Sequence, residues 1–242
     1  MRRTTFAVAL CIGTTLLPLV ANAQDENRPT KLTADFGFVK TDGNSEVTTL
    51  SGADKLEHTS GRWLFTQDGV AVWGVTDGVE SAARYGAGLR TDYKLNDRLT
   101  TYGLATWKRN TFAGIARQFD ENVGVSWKAI NVKPQSLDLE LGAGRVQRHP
   151  TIGEDDSFTS ARTGLAYGYE FSEKSKFTTD AYYSLNLEDT EDSDGEARFG
   201  LSAPIGRSFA LKLGYDLLYR NKPLPGLEKT DTTLSMGVQV TY

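Results

Sequence analysis

The chain has 242 residues, with 27 Lys and Arg against 31 Asp and Glu, one Cys and a formal net charge of −4. One domain is the default at that length, and one β-barrel can use all of it. The acidic balance argues against nucleic acid as the main partner, the lone cysteine excludes a disulfide scaffold, and the lack of any run of about 20 apolar residues excludes a polytopic helical membrane protein.

The N-terminus reads as an address. Arg2 and Arg3 precede an apolar stretch from Phe6 to Val20, then Ala21-Asn22-Ala23, then the abruptly polar Gln24-Asp25-Glu26-Asn27. This is the layout of a secretory signal peptide cut between Ala23 and Gln24. Cys11 lies before the cut, so the mature chain of 242 − 23 = 219 residues is expected to be cysteine-free, with a net charge of −4 − 2 = −6.

From Thr30 onward polar and apolar residues alternate in runs of about ten to fourteen, the signature of tilted membrane-spanning strands. Successive side chains on a strand point to opposite faces, so each run has one greasy and one polar face. Strands are expected over 31–40, 45–58, 62–75, 83–95, 99–112, 118–130, 137–148, 159–171, 177–188, 196–205 and 203–220, with a last one ending at Tyr242. The first, second, third and fifth of these alternate least cleanly. The eleventh is the clearest: Phe209, Leu211, Leu213, Tyr215, Leu217 and Tyr219 share one parity against Lys212, Gly214, Asp216 and Arg220. Helical periodicity is absent throughout.

Connections alternate in length. Those near 59–61, 96–98, 131–135, 172–176 and 206–207 are short; those at 149–157, 189–195 and 221–229 are longer, while 40–44 and 76–80 are long turns at most. Short turns on one side and long loops on the other are the asymmetry of outer-membrane barrels, and an even strand count returns both termini to the periplasm. The expected fold is therefore all-β: an up-and-down antiparallel transmembrane barrel of about twelve strands. A soluble β-sandwich or lipocalin-like barrel fits less well, because a polar parity rich in charge is expensive to bury dry. The aromatic Tyr242 resembles the last residue of outer-membrane proteins, which serves recognition by the barrel assembly machinery.

The polar parity supplies the candidate functional surface: Arg84, Arg90, Asp92 and Lys94, then Asp138 and Glu140, Arg162 and Glu170, Asp180, Arg198, Lys212 and Asp216. These are expected to line the lumen, either as the wall of a narrow, weakly selective pore or as a salt-bridge network that fills the barrel. Twelve strands enclose a lumen wider than an eight-stranded barrel's and narrower than a porin's.

Chemistry is sparsely signalled. His149 could be paired with Ser157 or Ser160 across a hairpin, as a lipid hydrolase would require, but no serine sits in a nucleophile motif. His58, near Ser60 at the end of the second strand, offers no clearer base. Acidic residues cluster at Glu154, Asp155 and Asp156 and again at Asp189, Glu191, Asp192 and Asp194. They are weak surface candidates for loosely held Ca²⁺ or Mg²⁺ bridging lipopolysaccharide, and the spacing lacks the glycine of a calcium hand. Gly86-Ala87-Gly88 and Gly142-Ala143-Gly144 precede no helix, so they are not phosphate loops; glycines two apart spare room on one strand face. No cofactor or resident metal is expected.

The segment Phe36-Gly37-Phe38-Val39-Lys40-Thr41-Asp42-Gly43-Asn44-Ser45 resembles the opening block of the salt-induced outer-membrane protein family of YdiY type, a domain of unknown function. Tyr102, Asn110-Thr111-Phe112-Ala113-Gly114, Arg117, Gly124 and Leu139-Glu140-Leu141-Gly142-Ala143-Gly144 resemble its middle block, where an aspartate is usual at the place of Asn110. The resemblance spans residues 31–242. It implies an outer-membrane barrel of Gram-negative bacteria linked to salt stress, and no catalytic residue. The expected function is a non-catalytic envelope protein: a passive pore for ions or small solutes, or a filled barrel whose acidic loops tie to cation-bridged lipopolysaccharide.

Overall fold

A computed structural model describes residues 29–41, 47–172, 175–206 and 208–241. The signal sequence with Ala23 and Gln24, the motif residues Asp42 to Ser45, and Tyr242 lie outside them. Twelve strands follow one another: β1 (Thr30–Thr41), β2 (Val47–Ser60), β3 (Trp63–Thr76), β4 (Val79–Lys94), β5 (Leu99–Asn110), β6 (Ile115–Val132), β7 (Gln135–Pro150), β8 (Asp156–Glu170), β9 (Lys176–Asn186), β10 (Ser193–Pro204), β11 (Phe209–Arg220) and β12 (Thr230–Thr241). Each pairs antiparallel with its chain neighbours, and β1 pairs with β12 to close the barrel. Closure removes every sheet edge, which hydrocarbon would leave unsatisfied.

Register explains the alternation. Residues directly opposite in an antiparallel pair share a face, so the outward set passes from strand to strand: Phe36 faces Val238, Val238 faces Leu211, and Leu89 faces Ala105. Phe38, Leu89, Val123, Leu141, Leu234 and Met236 are exposed on this outer wall. Among the described residues the buried side chains are twelve polar or charged against five hydrophobic, the inverse of a water-soluble protein. An apolar wall around a polar interior is stable only with lipid outside.

Aromatic side chains gather toward the end that carries the short turns. Trp63 stacks on Phe65 and meets Tyr93 at 4.7 Å, and Tyr169 packs edge-on against Phe171 at 5.0 Å between ring centroids. Such girdles sit at the interface between headgroups and hydrocarbon.

The closing seam is the shortest, four residue pairs from Thr33↔Thr241 to Phe36↔Val238. A Cβ on Gly237 would stand 2.2 Å from the Phe36 carbonyl oxygen, so only glycine lets the two backbones approach there.

The loops are tighter than the sequence suggests. β7 and β8 run on to Pro150 and from Asp156, and β10 begins at Ser193, three residues earlier than the expected 196. At the 76–80 connection only Asp77 and Gly78 lie between strands, both at positive φ, as a two-residue hairpin turn demands. Asn110 ends β5, and its side-chain oxygen accepts the Ala113 backbone N–H at 3.2 Å. An aspartate carboxylate would do the same work, which accounts for either residue at this place.

Candidate functional site

The inward parity of the strands builds a charged lumen. Its main cavity, of about 740 Å³, runs from the short turns (Gly61, Arg62, Asn96, Asp97) up to Asn110, Ile115 and Glu196. Arg84, Arg90, Asp92, Lys94, Asp138, Glu140, Arg162, Asp180 and Arg198 all line it. Asp216 lines a second cavity of about 180 Å³ near the long-loop end. Lys212 pairs with Asp35 on β1. Glu170 sits at the rim, 3.3 Å from Lys133.

Most of these charges are paired, and the pairs cross strands. On β4 the Arg90 guanidinium holds Asp92 at 2.9 Å and Glu140 of β7 at 2.8 Å, while lying over the Tyr102 ring. Tyr102 occupies space cleared by two glycines: a Cβ at Gly124 or Gly142 would come within 2.7 and 2.6 Å of its hydroxyl oxygen. The 142–144 glycine pair therefore works as a seat for neighbouring side chains.

Arg84 makes the longest crossing. From β4 it donates to Glu196 of β10 at 2.9 Å and to Asp216 of β11 at 3.3 Å. Both cavities are lined by Arg84, Asn110, Glu196 and Leu218, so this bridge stands where they meet. Glu196 also accepts from Arg198 at 2.7 Å and from the Tyr182 hydroxyl at 3.2 Å.

A third cluster fills the long-loop half between β5 and β11. Arg148 holds Asp192 at 2.9 Å and Asp194 at 2.8 Å; Arg220 holds Asp194 at 3.2 Å; Lys108 lies 3.7 Å from Asp120. Gln118, Asn122 and Phe158 are buried around them. Lys108, Asp120, Arg148 and Glu196 are not among the lumen candidates of the sequence, which offers Asp194 only as a surface acid and Arg220 only as a polar-parity residue, although Asp194 and Glu196 share the parity of Arg198 on one strand.

The acidic loop residues divide. Asp192 and Asp194 are not surface groups: Asp192, the last residue before β10, and Asp194, on it, both turn inward onto Arg148, which neutralises them. Asp189 and Glu191 remain exposed and share Lys222, at 2.6 and 3.2 Å. The Lys222 hydrogen bond holds the Asp189 carboxyl below the usual carboxylate range, and the two carboxylates raise the Lys222 ammonium in turn. At the opposite end, the hydrogen bond from Lys94 lowers Asp97. Asp155 accepts from His149 at 3.0 Å, and Asp156 is exposed, its carboxylate taking the Ser157 backbone N–H. Among the described residues no group of three or more His, Cys, Asp or Glu could hold a metal ion.

The imagined Ser–His pair does not form. His149 turns to Asp155, while Ser160 is fully buried on the inward parity of β8 and its hydroxyl finds no protein partner. His58 instead meets the Thr30 hydroxyl at 2.8 Å.

The profile of the family described as "Protein of unknown function, DUF481" matches residues 34–242. The chain belongs to that family. It is 23% identical to the uncharacterized protein YdiY of Escherichia coli K12 over 218 residues, covering 87% of this chain and 83% of YdiY. Among solved structures it is similar to the NanC porin, with a TM-score of 0.54 and 13% identity, covering 86% of this chain and 98% of that one. It is also similar to the COG4313 outer membrane channel from Pseudomonas putida F1, with a TM-score of 0.52 and 11% identity, covering 88% and 95%. The DUF481 chain thus has the fold of outer-membrane porins and channels.

Proposed function

We propose that the protein is a passive pore of the Gram-negative outer membrane, admitting ions or small solutes, and that its expression answers salt stress. The observation that carries this is the cavity of about 740 Å³ walled by charges of both signs, inside an apolar outer face. Water and ions occupy such a wall readily, and wall charges tune what passes. On this reading a signal peptide cut after Ala23 exports the chain, and the assembly machinery takes up the C-terminal strand. The short turns and termini face the periplasm, and the long loops meet lipopolysaccharide. No catalytic group takes part.

A second reading, the filled structural barrel, is favoured by the buried ion-pair cluster around Arg148 in the long-loop half. Recording the protein in a planar bilayer separates the two. Discrete, reproducible conductance steps establish the pore; silence from a folded, heat-modifiable barrel establishes the filled barrel. N-terminal sequencing of the protein isolated from outer membranes tests the cut at Ala23.

A further inference from the structure

The cations of the lumen are not equivalent. Arg84, Arg90, Arg148, Arg198 and Arg220 each hold a carboxylate at 3.3 Å or less. Arg162, on the inward parity of β8, holds none among the described residues. Its guanidinium lies over the Tyr182 ring, 3.8 Å from the centroid, and its Nε atom is buried without a protein partner. Nε is closed off from the lumen, so an incoming acceptor meets the two Nη groups, which have no carboxylate among the described residues. The ring pins the planar group, so less freedom is lost when an anion docks. Arg162 lines the main cavity, where the facing residue on β7 is Gly142 and the next inward residue on β8 is Gly164.

The surroundings favour an anion. Setting aside Arg109, whose register turns it outward, ten Lys or Arg and eight Asp or Glu line that cavity, in a chain with a net charge of −4. Lys31 and Lys176, on the inward parity near the short-turn mouth, stand opposite Glu57 and Glu170 in register, and among the described residues neither closes to an ion pair. Cationic mouths with low-dielectric walls concentrate anions.

We infer that Arg162 is the contact residue of an anion site inside the lumen, taking small carboxylates. This deepens the pore reading by naming its solute class. The site adjoins the cross-lumen bridge, because Tyr182, which stacks on Arg162, donates its hydroxyl to Glu196. A carboxylate receives two parallel N–H bonds from the guanidinium fork.

The test uses the protein isolated from membranes, with citrate as the probe. Calorimetry in detergent measures binding, and bilayer recording measures block of chloride current. Arg162→Gln is expected to weaken both by about tenfold or more, as loss of a charge-assisted bond requires. Arg162→Lys is expected to restore part, having the charge without the fork. Lys31→Gln is expected to leave binding nearly unchanged. Channels that open but show no citrate block, and no change on Arg162→Gln, overturn the site and leave the pore standing. A silent barrel that binds citrate through Arg162 keeps the site and overturns the pore. Equal loss on Lys31→Gln and Arg162→Gln overturns the site in favour of diffuse attraction.

Discussion

Arg84 of β4 and Glu196 of β10 lie six strands apart around a ring of twelve, diametrically opposite, and their side chains meet at 2.9 Å. A contact of that kind spans the whole lumen. It narrows the path from both walls at once and places a guanidinium between two carboxylates, since Asp216 stands 3.3 Å from the other Nη.

Removing one of those carboxylate charges changes what an ion meets there. At about 8 Å through water one unit charge is worth about 0.5 kcal/mol, so roughly twofold in ion occupancy. Glu196→Gln should therefore raise the preference for anions over cations by about twofold, read from reversal potentials in a salt gradient. The shift should shrink at high ionic strength.

Arg148 carries the stability prediction. Its side chain is 11% exposed and satisfies two buried carboxylates. Arg148→Met leaves Asp192 without a cation and Asp194 with Arg220 alone, and should destabilise the barrel by about 3–5 kcal/mol, the cost of breaking a buried ion pair from one side. Adding Asp194→Asn should recover part of the loss. Urea unfolding followed by heat-modified gel mobility measures both.

Much of the fold is legible in the sequence because a strand's period of two is written locally. Each of the twelve strands overlaps a stretch of alternation, and the clean runs in the second half, such as 209–220, carry one face to lipid. Strand β2 reads poorly for a physical reason: its outward parity is Leu50, Gly52, Asp54, Leu56, and Asp54 breaks the greasy row. The site is less legible. Parity says that Arg84 and Asp216 share a kind of face; it does not say that they meet, because the contact joins residues 132 apart in sequence. Asp192 and Asp194 look like loop acids since Gly195 and a charge run surround them, yet Arg148 draws them inward. That attraction is non-local.

Glycine seats give a paired test. A Cβ at Gly144 would fall 1.9 Å from the Glu121 carbonyl oxygen, whereas one at Gly103 meets nothing within 4 Å. Gly144→Ala should cost about 1–3 kcal/mol as overpacking does, and Gly103→Ala should stay within about 0.5 kcal/mol of wild type. Thermal loss of the compact gel form compares them side by side.

Lys222 ties the 187–192 loop to the 221–229 loop through Asp189 and Glu191. Asp189 is lowered in the folded protein, so its contribution is present above the ordinary carboxylate pKa of about 4 and is lost as pH falls through the folded value. Lys222 is raised, so its contribution is complete below about pH 10 and is lost as pH climbs through the folded value. The tie should hold across neutral pH and loosen in acid and in high salt. Protection against hydrogen exchange at Glu191 and Asp192, taken relative to the intrinsic rate at each pH, should fall at pH 3 and in Lys222→Ala, while the global melting temperature of the variant stays put.

The most direct measurement compares single-channel conductance of the wild-type protein with that of the double variant Arg84→Ala, Glu196→Ala in the same bilayer. A lumen open but crossed by this bridge predicts small, discrete steps for the wild type and clearly larger ones for the variant, with both folded by gel mobility. Silence from both would contradict it and leave a barrel filled by its own charges.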